Sequence, residues 1–135
     1  MNILAIFLDA SYLLALYNES DIHHKRARIL AEKIDANEYG QALTSDDVFD
    51  EVVSVALRKL GKEKARVFGK QILNSVLIVH GDKHLFESAF KIFNSSQHNF
   101  SFTDCISQAI MDMAQIKHIA TFDKMFERLD VEVIS

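Results

Sequence analysis

Five short apolar runs constrain the fold of this chain more than any other feature of its sequence. The runs are too continuous to alternate between polar and apolar residues, which is typical of parallel strands covered on both faces. They span residues 3–8, 42–44, 76–79, 119–121 and 131–134. Helical spacing of apolar residues fills the stretches between them, at 10–17, 23–34, 46–60, 63–73, 83–94 and 104–116. Because strands and helices alternate, the sequence predicts an α/β fold, a three-layer α/β/α sandwich with a central, mostly parallel sheet.

Length and composition favour one domain that occupies residues 1–135. The chain has no proline and only four glycines, and we find no linker or internal repeat. No apolar run approaches the roughly 18 residues that a membrane span needs, and the opening run reaches Asp9 too soon for a signal peptide. The single cysteine, Cys105, excludes an internal disulfide and a cysteine zinc cluster. We therefore expect a cytoplasmic protein with no membrane segment.

Four carboxylates stand where strands meet helices or on an apolar helix stripe. They are Asp9, Glu51, Asp104 and Asp123. Asp9 closes the first apolar run, and Asp123 follows the fourth. Open α/β sheets bind ligands at the carboxyl ends of their strands, beside the point where the strand order reverses. If the strands before Asp9 and Asp123 are neighbours, the two acids share one crevice.

Three of these acids have a purely structural alternative. Asp9 and Asp123 could each cap the helix that follows, which stabilises a protein by about 1 kcal/mol. Asp104 could be the acidic partner of a capping box that starts at Ser101. Each of the three is a weak signal alone.

Glu51 is harder to explain as a structural residue. In the predicted helix 46–60 it aligns with Val48 and Val55 on a stripe that we expect to face inward. A buried carboxylate must be paired, protonated or bound to a metal. Lysine or arginine partners are one alternative, but gathered carboxylates repel each other, so a hard divalent cation such as Mg²⁺ or Mn²⁺ explains all four acids.

Four segments of the chain together resemble the PIN domain, and in particular the compact VapC-type ribonuclease toxins. They are Phe7-Leu8-Asp9-Ala10-Ser11-Tyr12-Leu13, Thr44-Ser45 through Glu51, Ser101-Phe102-Thr103-Asp104 and Ala120-Thr121-Phe122-Asp123. The resemblance implies a PilT N-terminus-like nuclease in which Asp9, Glu51, Asp104 and Asp123 bind one or two Mg²⁺ or Mn²⁺ ions. It also implies that Ser11 and either Thr103 or Thr121 contact these carboxylates and position them without binding the ion themselves.

The same resemblance implies partners and a reaction. Family members commonly pair as homodimers, and a small antitoxin neutralises the toxins by placing a segment in the acidic groove. The expected reaction is metal-assisted hydrolysis of single-stranded or structured RNA that leaves a 5′-phosphate. Asp112 is an alternative acid, but it lies two helical turns past Asp104, about 12 Å along the axis.

The sequence does not single out one RNA-holding surface, because the net charge is −4. Two groups of cations could hold the RNA backbone, or they could be ordinary solvated helix faces. The candidates are Lys25, Arg26, Arg28, Arg58 and Lys62. We expect the histidine pairs at 23–24 and 80/84 to be surface residues. The apolar face at 85–93 should pack in the core, with a dimer interface as the second interpretation.

Two other functions compete with the nuclease. One is a PIN-like module that has lost catalysis and holds RNA or a protein. The other is a phosphate-accepting receiver domain, which needs an acidic pair after the first strand and a lysine after the last. Asp9 is single and no such lysine is present, which argues against the receiver domain.

Overall fold

Five parallel strands form one sheet in the part of the chain that the structure describes, with the order β3-β2-β1-β4-β5. The computed structural model describes residues 4–135, so Ile3 of the predicted first strand lies outside the described residues. The strands are β1 (Ala5–Leu8), β2 (Gln41–Ser45), β3 (Leu77–Val79), β4 (His118–Ala120) and β5 (Glu132–Ile134). Each of the five predicted strands is confirmed, and its ends differ from the predicted ends by at most two residues.

Within residues 4–135, six α-helices and one 3₁₀-helix connect the strands. The helices are α1 (Ala10–Tyr17), α2 (His24–Asp35), α3 (Asp46–Leu60), α4 (Lys62–Ser75), α5 (Lys83–Ser95) and α6 (Phe102–Ala114), and the 3₁₀-helix spans Lys124–Arg128. Side-chain caps fix several of the starts. Ser45 accepts a hydrogen bond from the amide of Val48 at α3, and Asp82 does the same for Leu85 at α5.

The chain first moves outward from β1 to β2 and β3, and then crosses back to place β4 on the other side of β1. The strand order therefore reverses between β1 and β4. Because crossovers between parallel strands are right-handed, α1–α4 cover one face of the sheet and α5–α6 the other. This is the predicted α/β/α sandwich. Leu8 pairs with Ala120 across the reversal, so the residues that follow β1 and β4 lie side by side.

The core lies on both faces of β1, whose four residues are all buried. Cys105 is buried and free. The expectation for the apolar face of α5 was partly wrong. Leu85 and Ala89 are buried, whereas three phenylalanines of α5 are about half exposed: Phe86, Phe90 and Phe93. None of the helices within residues 4–135 is long and apolar enough to cross a bilayer.

Candidate active site

Asp9 lies at the end of β1 and is 5% exposed. It occupies the position that caps α1, but its side chain accepts no capping hydrogen bond. Its oxygen Oδ2 instead accepts hydrogen bonds from the hydroxyls of Thr121 at 2.7 Å and Ser11 at 3.1 Å. The capping alternative therefore does not describe Asp9, whose carboxylate is held by side chains from two adjacent strand ends.

Ser11 and Thr121, here called the hydroxyl pair, are themselves fixed by backbone amides. The amide of Phe122 donates to Ser11 Oγ, and the amide of Asp123 donates to Thr121 Oγ1, each at 3.0 Å. Each hydroxyl has a single proton that it can donate to Asp9 Oδ2, and the two hydroxyl oxygens lie 3.1 Å from each other. The second oxygen of Asp9 is left for another partner.

Asp104 and Asp123 both have the structural roles that the sequence allowed. Asp104 forms a complete capping box with Ser101, in which Asp104 Oδ2 accepts from the Ser101 amide at 3.0 Å. Asp123 begins the 3₁₀-helix, and its Oδ1 accepts from the Met125 amide at 3.0 Å. Both acids are partly exposed. One oxygen of each is thus committed to the backbone, which orients the side chain without using its second oxygen.

Glu51 departs from the prediction. The buried stripe of α3 runs through Val48, Val52 and Ala56, and Glu51 is exposed beside it. Although the residue as a whole is exposed, its carboxyl group lies close enough to the protein to lose part of its hydration. Glu51 therefore stands at the open side of the site and is not a buried charge that requires a partner.

The electrostatics link the four acids. Burial raises the pKa of Asp9 and the Asp104 carboxylate raises it further, while the hydrogen bond from Thr121 opposes both. Partial desolvation raises the pKa of Glu51, with Asp9 and Asp104 adding to the shift. Desolvation also raises the pKa of Asp104, where the Ser101 hydrogen bonds oppose it and Asp123 adds to it. The acids therefore feel each other's charge at one edge of the sheet.

The donor set fits a hard divalent cation in its chemistry, although the site is not closed around one. Within residues 4–135 no three Asp, Glu, His or Cys side chains stand close enough together to hold an ion. Mutual repulsion favours separated carboxylates, and two of these are held by backbone amides. Carboxylate oxygens are nonetheless the ligands that Mg²⁺ and Mn²⁺ take. The carboxylates would therefore have to move together to bind one ion.

The other predicted residues divide between the site and its surroundings. Ser11 and Thr121 contact Asp9, whereas the hydrogen bond at Thr103 uses its backbone carbonyl, which accepts from Ser107. The exposed Asp112 lies farther along α6. All five predicted RNA-binding cations are exposed: Lys25, Arg26, Arg28, Arg58 and Lys62. Arg26 lines a cavity together with Asp123, and Arg28 lines a different one, so only part of this group borders the acids.

Comparisons with known proteins match this architecture over nearly the whole chain. A family model described as "PIN domain" matches residues 6–132. The chain is 26% identical to Ribonuclease VapC1 of Aquifex aeolicus (strain VF5), over all of this chain and 92% of the relative.

Solved structures agree with these matches. Mycobacterium tuberculosis VapC20, described as a Sarcin-Ricin loop cleaving toxin, superposes with a TM-score of 0.83 and 27% identity, over 93% of this chain and 98% of that one. A toxin-antitoxin complex from Klebsiella pneumoniae superposes with a TM-score of 0.69 and 15% identity, over 96% of both chains. The second likeness concerns the fold alone.

Proposed function

The chain belongs to the PIN domain family, and from that membership we propose that its single domain, over residues 1–135, is a metal-dependent endoribonuclease. The observation that carries the proposal is the group of four acids at the reversal between β1 and β4, linked by the upward shifts in the pKa of Asp9, Glu51 and Asp104. The names of a VapC1 ribonuclease and of an RNA-loop-cleaving toxin support RNA as the substrate.

In this proposal Asp9, Asp104 and Asp123 hold one or two Mg²⁺ or Mn²⁺ ions. Bound there, the ion would polarise a phosphoryl oxygen and lower the pKa of a bound water. The hydroxyl pair keeps one oxygen of Asp9 turned inward and the other free for ligation. Glu51 would either ligate the ion or orient the attacking water. Hydrolysis would leave a 5′-phosphate and a 3′-hydroxyl.

We propose further that this nuclease is the toxin of a toxin–antitoxin pair. The fold matches a toxin-antitoxin complex and the toxin VapC20. The antitoxin would be a small protein whose segment enters the acidic groove. Co-expression with the product of an adjacent short reading frame tests this, since a true antitoxin should co-purify with the chain and suppress cleavage.

A homodimer completes the proposal. Phe86, Phe90 and Phe93 form an aromatic row on α5 and are 59%, 55% and 49% exposed. A cluster of this kind is more typical of an interface than of a monomer surface. Phe90→Glu should convert a dimer to a monomer in light scattering, whereas Leu73→Glu on α4, a residue also 61% exposed, should leave the mass unchanged. Equal masses for both variants would contradict the assignment.

The central test is cleavage of single-stranded and structured RNA by the wild type and Asp9→Asn, with Mn²⁺, Mg²⁺ or EDTA. We expect metal-dependent cleavage by the wild type and loss of at least a hundredfold in the variant. Asp112→Asn is the matched control, because it removes an exposed acid of α6 that lies outside the group. RNA binding without turnover in any metal would instead favour a module that has lost catalysis.

A further inference from the structure

A cavity of about 330 Å³ opens directly beside the acids. Thr121 and Asp123 form the wall that it shares with the candidate active site, so the hydrogen bond between Thr121 and Asp9 separates the cavity from the buried carboxylate. Its volume lies at the lower end of the range for small-ligand pockets, roughly 300–1,000 Å³. The cavity is therefore large enough for one nucleotide.

An aromatic pair forms one side of this cavity. The imidazole of His23 stacks on the ring of Phe122 with 4.4 Å between centroids and 4° between planes. His23 precedes α2, but its side chain makes no capping hydrogen bond, so the ring is not needed to start the helix. Exposed aromatic faces of this kind are the surfaces on which unpaired bases stack.

Two cations stand beside the aromatic pair. Arg26 Nε donates to the backbone carbonyl of Ser135 at 2.9 Å, which fixes the guanidinium at the cavity and leaves its outer nitrogens for a further acceptor. Lys124 lines the same space, as do the carboxylates of Asp123 and Glu127. Both signs of charge therefore border the cavity, and a divalent ion held at Asp123 would add positive charge there that favours phosphate.

From this juxtaposition we infer that the cavity binds the nucleotide next to the cleaved phosphodiester, with its base on the pair His23 and Phe122 and its phosphate at Arg26 and Lys124. The assignment to an RNA strand rests on the proposed function, but nucleotide binding itself does not require cleavage. The inference also divides the cations predicted from the sequence. Arg26 serves the site, whereas Arg28 lines the separate cavity beside Tyr12 and Leu8.

The test is calorimetric titration of 5′-nucleoside monophosphates, and of inorganic phosphate alone, with and without Mg²⁺. Three variants of exposed residues are compared with the wild type: His23→Ala, Arg26→Ala and the matched control Arg28→Ala. Loss of stacking in His23→Ala should weaken nucleotide binding about five- to a hundredfold and leave phosphate binding unchanged. Arg26→Ala should weaken both ligands about tenfold or more, and Mg²⁺ should strengthen nucleotide binding to the wild type.

The outcomes separate this inference from the proposed function. Equal nucleotide affinity in the wild type and all three variants, or weakening confined to Arg28→Ala, would overturn the inference even if the protein cleaves RNA. If nucleotide binding depends on His23 and Arg26 but the protein cleaves no RNA, the result would support nucleotide binding in the cavity and refute the proposed nuclease activity.

Discussion

Asp9→Asn should make the metal-free protein more stable at pH 7 while it abolishes cleavage. Asp9 is a buried carboxylate whose pKa is raised by burial and by Asp104. Asparagine has nearly the same shape, and its carbonyl oxygen can accept the hydrogen bonds that Ser11 and Thr121 donate. The substitution therefore removes the charge and keeps the packing.

The expected gain follows from opposing effects on the free energy of unfolding. At an effective dielectric constant near 20, two like unit charges repel by roughly 4 kcal/mol at 4 Å and by roughly 2 kcal/mol at twice that distance. Removing the charge of Asp9 relieves its repulsion with Asp104 and its desolvation cost, which is of order several kcal/mol. The hydrogen bonds from the two hydroxyls weaken when their acceptor becomes neutral, together by about 2 kcal/mol. The relieved repulsion and the weakened hydrogen bonds are of similar size, so the desolvation cost dominates and we expect a net stabilisation of order several kcal/mol.

The dependence on pH gives this prediction its sharpest form. Folding raises the pKa of Asp9 above its ordinary value of 3.8, so the native state retains a proton that the unfolded state loses. The free energy of unfolding of the wild type therefore falls as the pH rises from about 4 through the folded-state pKa of Asp9. The asparagine variant lacks this contribution. Its advantage should be absent at pH 3.5 and complete once the pH exceeds that folded-state pKa.

Urea unfolding in EDTA at several pH values between 3.5 and 8 measures this advantage directly. Asp112→Asn, an exposed substitution on α6, should match the wild type within about 0.5 kcal/mol. Mg²⁺ at a hundred times its dissociation constant should stabilise the wild type by about 2.7 kcal/mol and the Asp9 variant far less. A variant less stable than the wild type at pH 7, or one whose advantage does not change with pH, would refute the reasoning.

Three further substitutions test separate parts of the structure. Thr121→Val removes the buried hydroxyl that donates a hydrogen bond to Asp9, so it should lower the free energy of urea unfolding by about 1–3 kcal/mol and slow RNA cleavage. Thr121→Ser, which keeps a hydroxyl, should restore most of the stability and most of the cleavage. Glu51→Gln should change the free energy of unfolding by less than about 0.5 kcal/mol, because the residue is exposed. The same variant should lower kcat by about 10²-fold or more, and an unchanged kcat would remove Glu51 from the mechanism. Gly40→Ala should lower the free energy of unfolding by more than about 1 kcal/mol, since Gly40 has φ +78° and a Cβ would overlap the carbonyl oxygen of Leu4; wild-type stability would contradict this.

The strand and helix pattern could be predicted closely because it depends on local periodicity. In the sequence the strands are continuous apolar runs, and in the helices apolar residues recur every three to four positions. The position of Glu51 could not be predicted this way. The buried stripe of α3 follows Val48, Val52 and Ala56, and one residue of offset turns a side chain by about 100° around the helix. Periodicity locates the buried stripe of a helix, but which residues form the edges of that stripe depends on the elements that pack against the helix.

The contacts that organise the site depend on the strand order, which the sequence only restricts. Thr121 and Asp9 are 112 positions apart, and they meet because β4 pairs with β1. The sequence predicted that the acids share a crevice if those strands are neighbours. It gave no signal for the stacking of His23 on Phe122, because that contact joins two loops that no repeating pattern connects.

The reversal of strand order also has a consequence for biosynthesis. Asp9 is translated before all of the helices, but the hydroxyl of Thr121 and the carboxylate of Asp123 are added only after β2, β3, β4 and the helices α1–α6 have been translated. Until β4 has been translated, a nascent chain therefore carries the first acid without the strand that orients it. Vectorial synthesis delays the assembly of the acidic site until nearly all of the sheet exists.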